Sequence, residues 1–230
     1  MSRSLWMSIA VIAAVIVTTL AMYGSLPEKM PTHWNINGEV DGWSSKASGV
    51  SIMPVAMIVL FLVFLALPML SPRQFTVESF RSTYDFITFC VLAHCGYVQI
   101  VILVAAMNRQ VDTTRMIIAG VCVLLAALGN VLGKVRRNFW VGVRTPWTIA
   151  SDHVWNSTHR LAAKLFVGAG VLGLLAVVSG LPAIPMFVVI FSGIMFAAIF
   201  PIGYSLYLYK LLEQRGELEP IDTEPGMAPH

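Results

Sequence analysis

The sequence predicts an all-α integral membrane protein, a six-helix transmembrane bundle with both termini cytoplasmic. Three observations lead there. The 230 residues are 57% hydrophobic and only 12% charged, with a mean hydropathy of +0.76, and a soluble domain of that size carries far more surface charge. The apolar residues gather into six windows, near 5–23, 52–70, 84–107, 116–132, 161–178 and 184–208. Each approaches the roughly 20 residues needed to cross about 30 Å of hydrocarbon. The basic residues, finally, are shared unevenly between the connections. The chain divides into a two-span N-terminal domain over 1–70 with an external loop at 25–50, a four-span domain over 71–215 with a cytoplasmic loop at 133–160, and a tail over 216–230.

The first window follows Arg3. It is long for the apolar core of a signal peptide and no small-residue cleavage site follows it, so it reads as an uncleaved span. The connection after it, Ser25 to Gly49, holds Pro31 ahead of His33 and Trp34, and two turn signals, Asn37-Gly38 and Asp41-Gly42. His33, Glu39 and Asp41 carry the nitrogen and oxygen chemistry of a cation site. No HExxH or cysteine pair accompanies them, and neither a metal nor any other cofactor is expected. The segment reads as an ordered external turn with Trp34 and Trp43 at the lipid boundary. As the substantial external polar segment it is also a candidate recognition surface, with His33 and Asp41 as its contacts.

Pro54 near the start of the second window and Pro68 near its end suit a helix start and exit. The third window is unusually polar, with Asp85, His94, Tyr97 and Gln99. An ionisable group at the middle of a span tends to face protein or a water-filled cavity. His94 and Tyr97, three apart, share a face, while Gln99 diverges; a local hydrogen-bond network is favoured over a proton pathway. Cys90, Cys95 and Cys122 form no metal or disulfide pattern and read as small packing residues. Gly129 and Gly133, and in the fifth span Gly168, Gly170 and Gly173, permit close packing across a helix interface. Gly180 and Pro182 punctuate a tight connection into the sixth window, where Pro201 predicts a kink and Tyr204, Tyr207 and Tyr209 fit an aromatic belt. The tail holds Glu213, Glu217, Glu219, Asp222 and Glu224 among prolines, and is expected to be disordered beyond about Gly216.

An internal N-terminus puts eleven Lys and Arg residues inside and four (Lys29, Lys46, Arg109, Arg115) outside. That bias sets the predicted orientation.

The connection over 133–160 is the most varied polar segment. It carries Lys134, Arg136, Arg137, Arg144 and Arg160 together with Trp140, Trp147 and Trp155. Lys134, Arg136 and Arg137 are placed to meet anionic lipid phosphates, each such contact being worth about 1 kcal/mol near a membrane surface; one short patch does not predict direct nucleic-acid binding. Thr145-Pro146 reads as a capped helix start, and Ser151 as the cap of a second helix that runs on into the fifth span. At 100° per residue Asp152, Trp155, Asn156 and His159 share one side of it, opposite Val154, Thr158, Leu161 and Leu165. Three readings stand for that stripe: a satisfied interfacial network, a ligand or protein contact, and acid–base chemistry by Asp152 and His159, for which no nucleophile is evident. No catalytic residue is assigned. The binding candidates of this region are Asn138, Arg144, Trp147, Asp152, Trp155, Asn156, His159 and Arg160.

Two segments carry a family resemblance. Pro31, His33, Gly38 and Asp41 fit a Pro-x-His-x-x-x-x-Gly-x-x-Asp pattern that resembles an N-terminal bacterial membrane domain of unknown function. The run from Leu132 to Lys164, with Gly133, Lys134, Arg136, Asn138, Gly142, Arg144, Thr145, Pro146, Trp147, Thr148, Asp152, Trp155, Asn156, His159 and Arg160, resembles the central signature of a bacterial toxin-immunity membrane family, related to the immunity protein of the sporulation-delaying toxin system. The resemblance implies a multi-pass protein of the bacterial plasma membrane. It further implies protection against a secreted antimicrobial peptide, and signalling through the cytoplasmic loop to a transcriptional repressor. A peptide or small-molecule transporter, or a transporter accessory protein, is the main alternative, resting on the polar third span. A membrane-embedded enzyme is the other.

Overall fold

The structure is a computed structural model and describes residues 2–107 and 110–218. Arg109 and the tail residues Glu219, Asp222 and Glu224 lie outside the described residues. Among the described residues there are seven α-helices: α1 (Arg3–Met22), α2 (Lys46–Ala66), α3 (Arg81–Met107), α4 (Thr113–Leu132), the short α5 (Pro146–Ala150), α6 (Asp152–Val178) and α7 (Ala183–Arg215). All but α5 are long and apolar enough to cross a membrane, six in total. α1 and α2 each pack on α3, α3 on α4, α4 on α6, and α6 on α7. The outward faces of α2 and α7 stay apolar and exposed, with Ile52, Val55 and Leu62 on one and Phe187, Phe191, Phe196 and Phe200 on the other. In water such faces would be a liability; in hydrocarbon they are ordinary solvent contact.

The glycines that close these interfaces are a subset of those expected. A side chain begun at Gly129 would lie 2.7 Å from the Val167 nitrogen, and one at Gly170 2.5 Å from the Cys122 carbonyl oxygen. At Gly173 it would meet Cys122 Sγ at 2.5 Å. α4 and α6 therefore touch backbone to backbone, and a larger residue cannot be accommodated without moving a helix. Gly168 faces open space, and the nearest atoms to a Gly133 side chain are at 3.8 Å, so neither belongs to that contact.

The all-α expectation needs one addition. The first connection is a β-hairpin, with β1 (Lys29–Trp34) antiparallel to β2 (Val40–Ser45). Of the two predicted turns only Asn37-Gly38 is one: Gly38 has φ of 85°, and the Asn35 side-chain oxygen accepts from the Asn37 and Glu39 N–H groups at 2.9 and 3.0 Å. Asp41-Gly42 lies inside β2, where the pairing is irregular. There a Gly42 side chain would begin 2.7 Å from His33 Cβ, so glycine serves close strand approach rather than a turn. Met30 is buried beside Leu26, Val50 and Leu103, which seats the hairpin on the ends of α2 and α3.

Pro54 was expected at a helix start and lies instead well inside α2. The helix begins at Lys46 because Ser45 caps it, accepting from the Ser48 N–H at 3.3 Å. An apolar window marks where hydrocarbon begins, whereas a cap marks where the helix begins. Pro68 does fall where α2 ends, in a 3-10 turn over Leu67–Leu70. α7 continues on both sides of Pro201.

In the third helix, the Tyr97 hydroxyl donates to the Met116 carbonyl at 2.8 Å, and the His94 ring hydrogen-bonds to the Gly120 backbone. Both polar groups reach carbonyl oxygens one turn apart on α4, which ties the two helices together. Gln99 diverges as expected, toward the Val50 carbonyl of α2 at 3.5 Å.

Candidate functional site

The polar connection between α4 and α6 is folded tightly around one asparagine. Asn138 is fully buried. Its side-chain nitrogen donates to the Arg136 and Val141 carbonyls at 2.8 and 2.9 Å, and its side-chain oxygen accepts from the Trp140 and Val141 N–H groups, both at 2.7 Å. One amide thus closes a turn of six residues and leaves no side-chain capacity for a ligand. Trp140, held by this turn, donates from Nε1 to Ser71 Oγ at 2.7 Å, which pins the loop to the end of α2.

Trp155 and His159, on α6, fill the space under the turn. Trp155 Nε1 donates to the Val135 carbonyl at 2.8 Å, and its ring stacks on His159 at 4.1 Å between centroids with 19° between planes. His159 bridges two backbone groups. Its Nε2 accepts from the Val143 N–H at 3.0 Å, which leaves the proton on Nδ1 to donate to the Trp155 carbonyl at 2.8 Å. This pairing suits the neutral ring in a single tautomer, because a proton on Nε2 would point at another N–H. Gly142 makes the approach possible. With φ of 116°, a side chain there would begin 2.1 Å from His159 Nε2.

Thr145 caps α5 and Ser151 caps α6, as the sequence predicts. Thr145 and Thr148 form a reciprocal capping box, and Ser151 accepts from the Val154 N–H. Thr148 also donates to the Val143 carbonyl at 2.9 Å. The segment is then fastened to α7, where Ser205 accepts from Trp147 Nε1 and lies 3.3 Å from the Thr145 hydroxyl. Ser71 and Ser205 carry these long-range contacts without standing out in the sequence, since each is a lone hydroxyl at the edge of, or inside, an apolar window.

The predicted stripe of Asp152, Trp155, Asn156 and His159 is split. Trp155 and His159 are buried, whereas Asp152 is exposed and Asn156 half-exposed. The 100° arc of those four positions straddles the edge of the buried face, so two turn inward and two outward. Asp152 pairs with Arg137 Nε at 3.0 Å, and Arg137 also donates to the Ile149 carbonyl at 3.0 Å. Arg136 reaches the Asn156 side-chain oxygen at 3.5 Å. Ser79, Arg136, Arg137, Asp152 and Asn156 line an open polar hollow of about 280 Å³. Arg144 is exposed and donates to the Phe139 carbonyl; Arg160 is exposed and donates to Ser157 Oγ at 3.3 Å. The outward surface available to a partner is therefore Arg136, Arg144, Asp152, Asn156 and Arg160. Asp152 and His159 do not form an acid–base pair, because the histidine is enclosed with both nitrogens engaged.

On the hairpin, His33 Nδ1 meets Asp41 Oδ1 at 2.5 Å, and both side chains are well exposed. Glu39 does not join them. It accepts from Asn35 Nδ2 at 2.9 Å, across the turn. Among the described residues no group of three or more His, Cys, Asp or Glu is placed to hold a metal ion.

Three comparisons with known proteins bear on these two regions. Residues 134–205 match the SdpI/YfhL protein family, and residues 10–58 match a domain of unknown function, DUF1648. The chain is 26% identical over 206 residues to the immunity protein SdpI of Bacillus subtilis (strain 168), covering 89% of this chain and 95% of that protein. No solved structure matches.

Proposed function

We propose, from the place of residues 134–205 in the SdpI/YfhL family and the homology of nearly the whole chain to a toxin-immunity protein, that this multi-pass bacterial membrane protein gives immunity to a secreted antimicrobial peptide. The observation that carries the reading further is the 133–151 connection. It is a densely hydrogen-bonded unit, closed by Asn138, propped by Trp155 and His159, and bonded to Ser71 beyond α2 and Ser205 on α7. A charged loop that served only to orient the chain would need none of those bonds. A loop tied at once to two helices shifts when either helix shifts, which is the property a signalling surface requires.

In this reading the hairpin, with His33 and Asp41 at its surface, meets the peptide. The outward residues Arg144, Asp152, Asn156 and Arg160 meet a cytoplasmic partner, such as a transcriptional repressor held at the membrane. Both termini and the loop lie on the cytoplasmic side, and anionic lipids contact the basic residues there.

Expression in a susceptible bacterium challenged with candidate secreted peptides tests it. Wild-type protein should raise survival at least tenfold against one peptide. Asp152→Asn, which removes the charge facing Arg137 at the surface, should leave inserted protein at wild-type level and disrupt recruitment of the repressor to the membrane fraction. Equal recruitment by that variant would remove Asp152 from the signalling surface. Ligand-dependent flux in reconstituted vesicles, with no peptide protection, would replace the immunity reading with transport.

A further inference from the structure

Beneath the 141–145 segment lies a cleft of about 460 Å³ whose apolar walls the immunity reading does not use, although that reading places Arg144, at the cleft's end, on the partner-facing surface. Ile87 of α3 forms one wall and Ala198 and Ile202 of α7 the other; Leu128 of α4 and Phe166 of α6 form its floor. Among the described residues α3 and α7 make at most marginal contact across it, unlike the neighbouring helix pairs. The loop backbone from Val141 to Thr145 closes the end of the cleft, and Arg144 stands there. Its volume lies within the roughly 300–1,000 Å³ typical of small-molecule sites.

We propose that this cleft is a binding site for one anionic phospholipid, with an acyl chain between α3 and α7 and the phosphate on Arg144. The walls are aliphatic and aromatic over the depth at which α3, α4, α6 and α7 are membrane-spanning. Water gains little there, having few polar partners to bond. A peptide segment would bring backbone N–H and C=O groups that need partners, which the walls do not supply. An acyl chain brings none. At the closed end the demand reverses. The guanidinium of Arg144 has five N–H donors. Its bond among the described residues is to the Phe139 carbonyl, which leaves a cation with unused donors above an apolar slot. The two unesterified oxygens of a phosphate diester match it in charge and in geometry, because arginine donates two parallel bonds to phosphate. A neutral or net-uncharged lipid fills the slot equally well but satisfies the cation less. The site thus selects on headgroup charge, and since Arg144 belongs to the stapled loop, lipid occupancy is coupled to the loop's position.

Native mass spectrometry of the full-length protein, released from nanodiscs of equal phosphatidylglycerol and phosphatidylethanolamine, tests the assignment. Wild type should retain one phosphatidylglycerol with at least fivefold preference. Arg144→Gln should abolish the preference. Ala198→Phe, which fills the slot without touching charge, should lower retention of either lipid at least fivefold. Lys164→Gln, an equal charge change on the exposed side of α6, should change neither value, and millimolar inorganic phosphate should not displace the lipid. A wild-type protein that retains no lipid, or the same retention and preference in Ala198→Phe and Arg144→Gln, would overturn the proposal. If Arg144→Gln does not insert, Ala198→Phe alone decides.

Discussion

Asn138 shows how one side chain can set a loop. It makes four hydrogen bonds to three residues' backbone and is fully buried. Asn138→Ala should lower stability by about 2–4 kcal/mol, since each buried group left unpaired costs about 1–3 kcal/mol. Asn138→Asp is the sharper test. It preserves size and the acceptor, but turns a two-bond donor into a second acceptor facing the Arg136 and Val141 carbonyls. The aspartate variant should therefore be no more stable than alanine in detergent melts, despite its near-identical shape; full retention of stability by aspartate would show that the donor bonds are dispensable. Gly142→Ala joins two faults, a φ of 116° that disfavours any side chain and a contact of 2.1 Å with His159 Nε2. It should cost about 2 kcal/mol or more, because such backbone positions alone carry about 1–3 kcal/mol. His159→Phe, which keeps the stack on Trp155 but removes the acceptor for Val143, should lose less. Melting of the four variants beside wild type ranks them. None of these roles shows in composition: Asn138 looks like a polar contact residue until its four partners are placed around it.

At the level of elements, local chemistry was readable where it acts over three or four residues. The Thr145-Pro146 start and the Ser151 cap were visible because cap and capped N–H are neighbours in sequence. The hairpin was not. Its strands hold few β-branched residues, and its stability comes from Met30 buried against Leu26, Val50 and Leu103 rather than from strand propensity. The glycines divide in the same way. Sequence spacing nominates five for helix packing without naming the partner helix, and only the helix rotation places Gly129, Gly170 and Gly173 in the α4–α6 contact. Gly170→Leu should separate the two helices and cost several kcal/mol or prevent assembly, since overpacking by even a few methylenes costs about 1–3 kcal/mol. Gly168→Ala, two residues away and facing open space, should stay within about 0.5 kcal/mol of wild type, as surface changes usually do. Equal effects at 168 and 170 in a detergent-unfolding series would mean that α4 and α6 do not meet through this face.

For the whole molecule, hydropathy alone yielded the span count, because lipid demands long apolar helices with internally paired backbones, and six such helices are present. The positions of the polar ends follow from parity. The hairpin joins α1 to α2 and the stapled loop joins α4 to α6; three helices (α2, α3 and α4) run between them, an odd number, so the two polar regions lie at opposite ends of the bundle. Side-chain bonds agree. At the hairpin end Arg115, near the start of α4, donates to the Val177 and Leu181 carbonyls at the α6–α7 turn; at the other end Trp140 bonds Ser71 beyond α2. Parity does not say which end faces the cytoplasm; the eleven-to-four division of Lys and Arg predicts that it is the loop end. A membrane-impermeant maleimide should label Asn37→Cys on the hairpin in intact cells, and should label His153→Cys, exposed in the first turn of α6 beside the loop, only after permeabilisation. The native Cys90, Cys95 and Cys122 lie within spans and should stay unlabelled in both conditions. The reverse labelling pattern would place the basic loop outside. That would sink a cytoplasmic repressor as its partner, because the surface of Arg144, Asp152 and Arg160 would then face the medium.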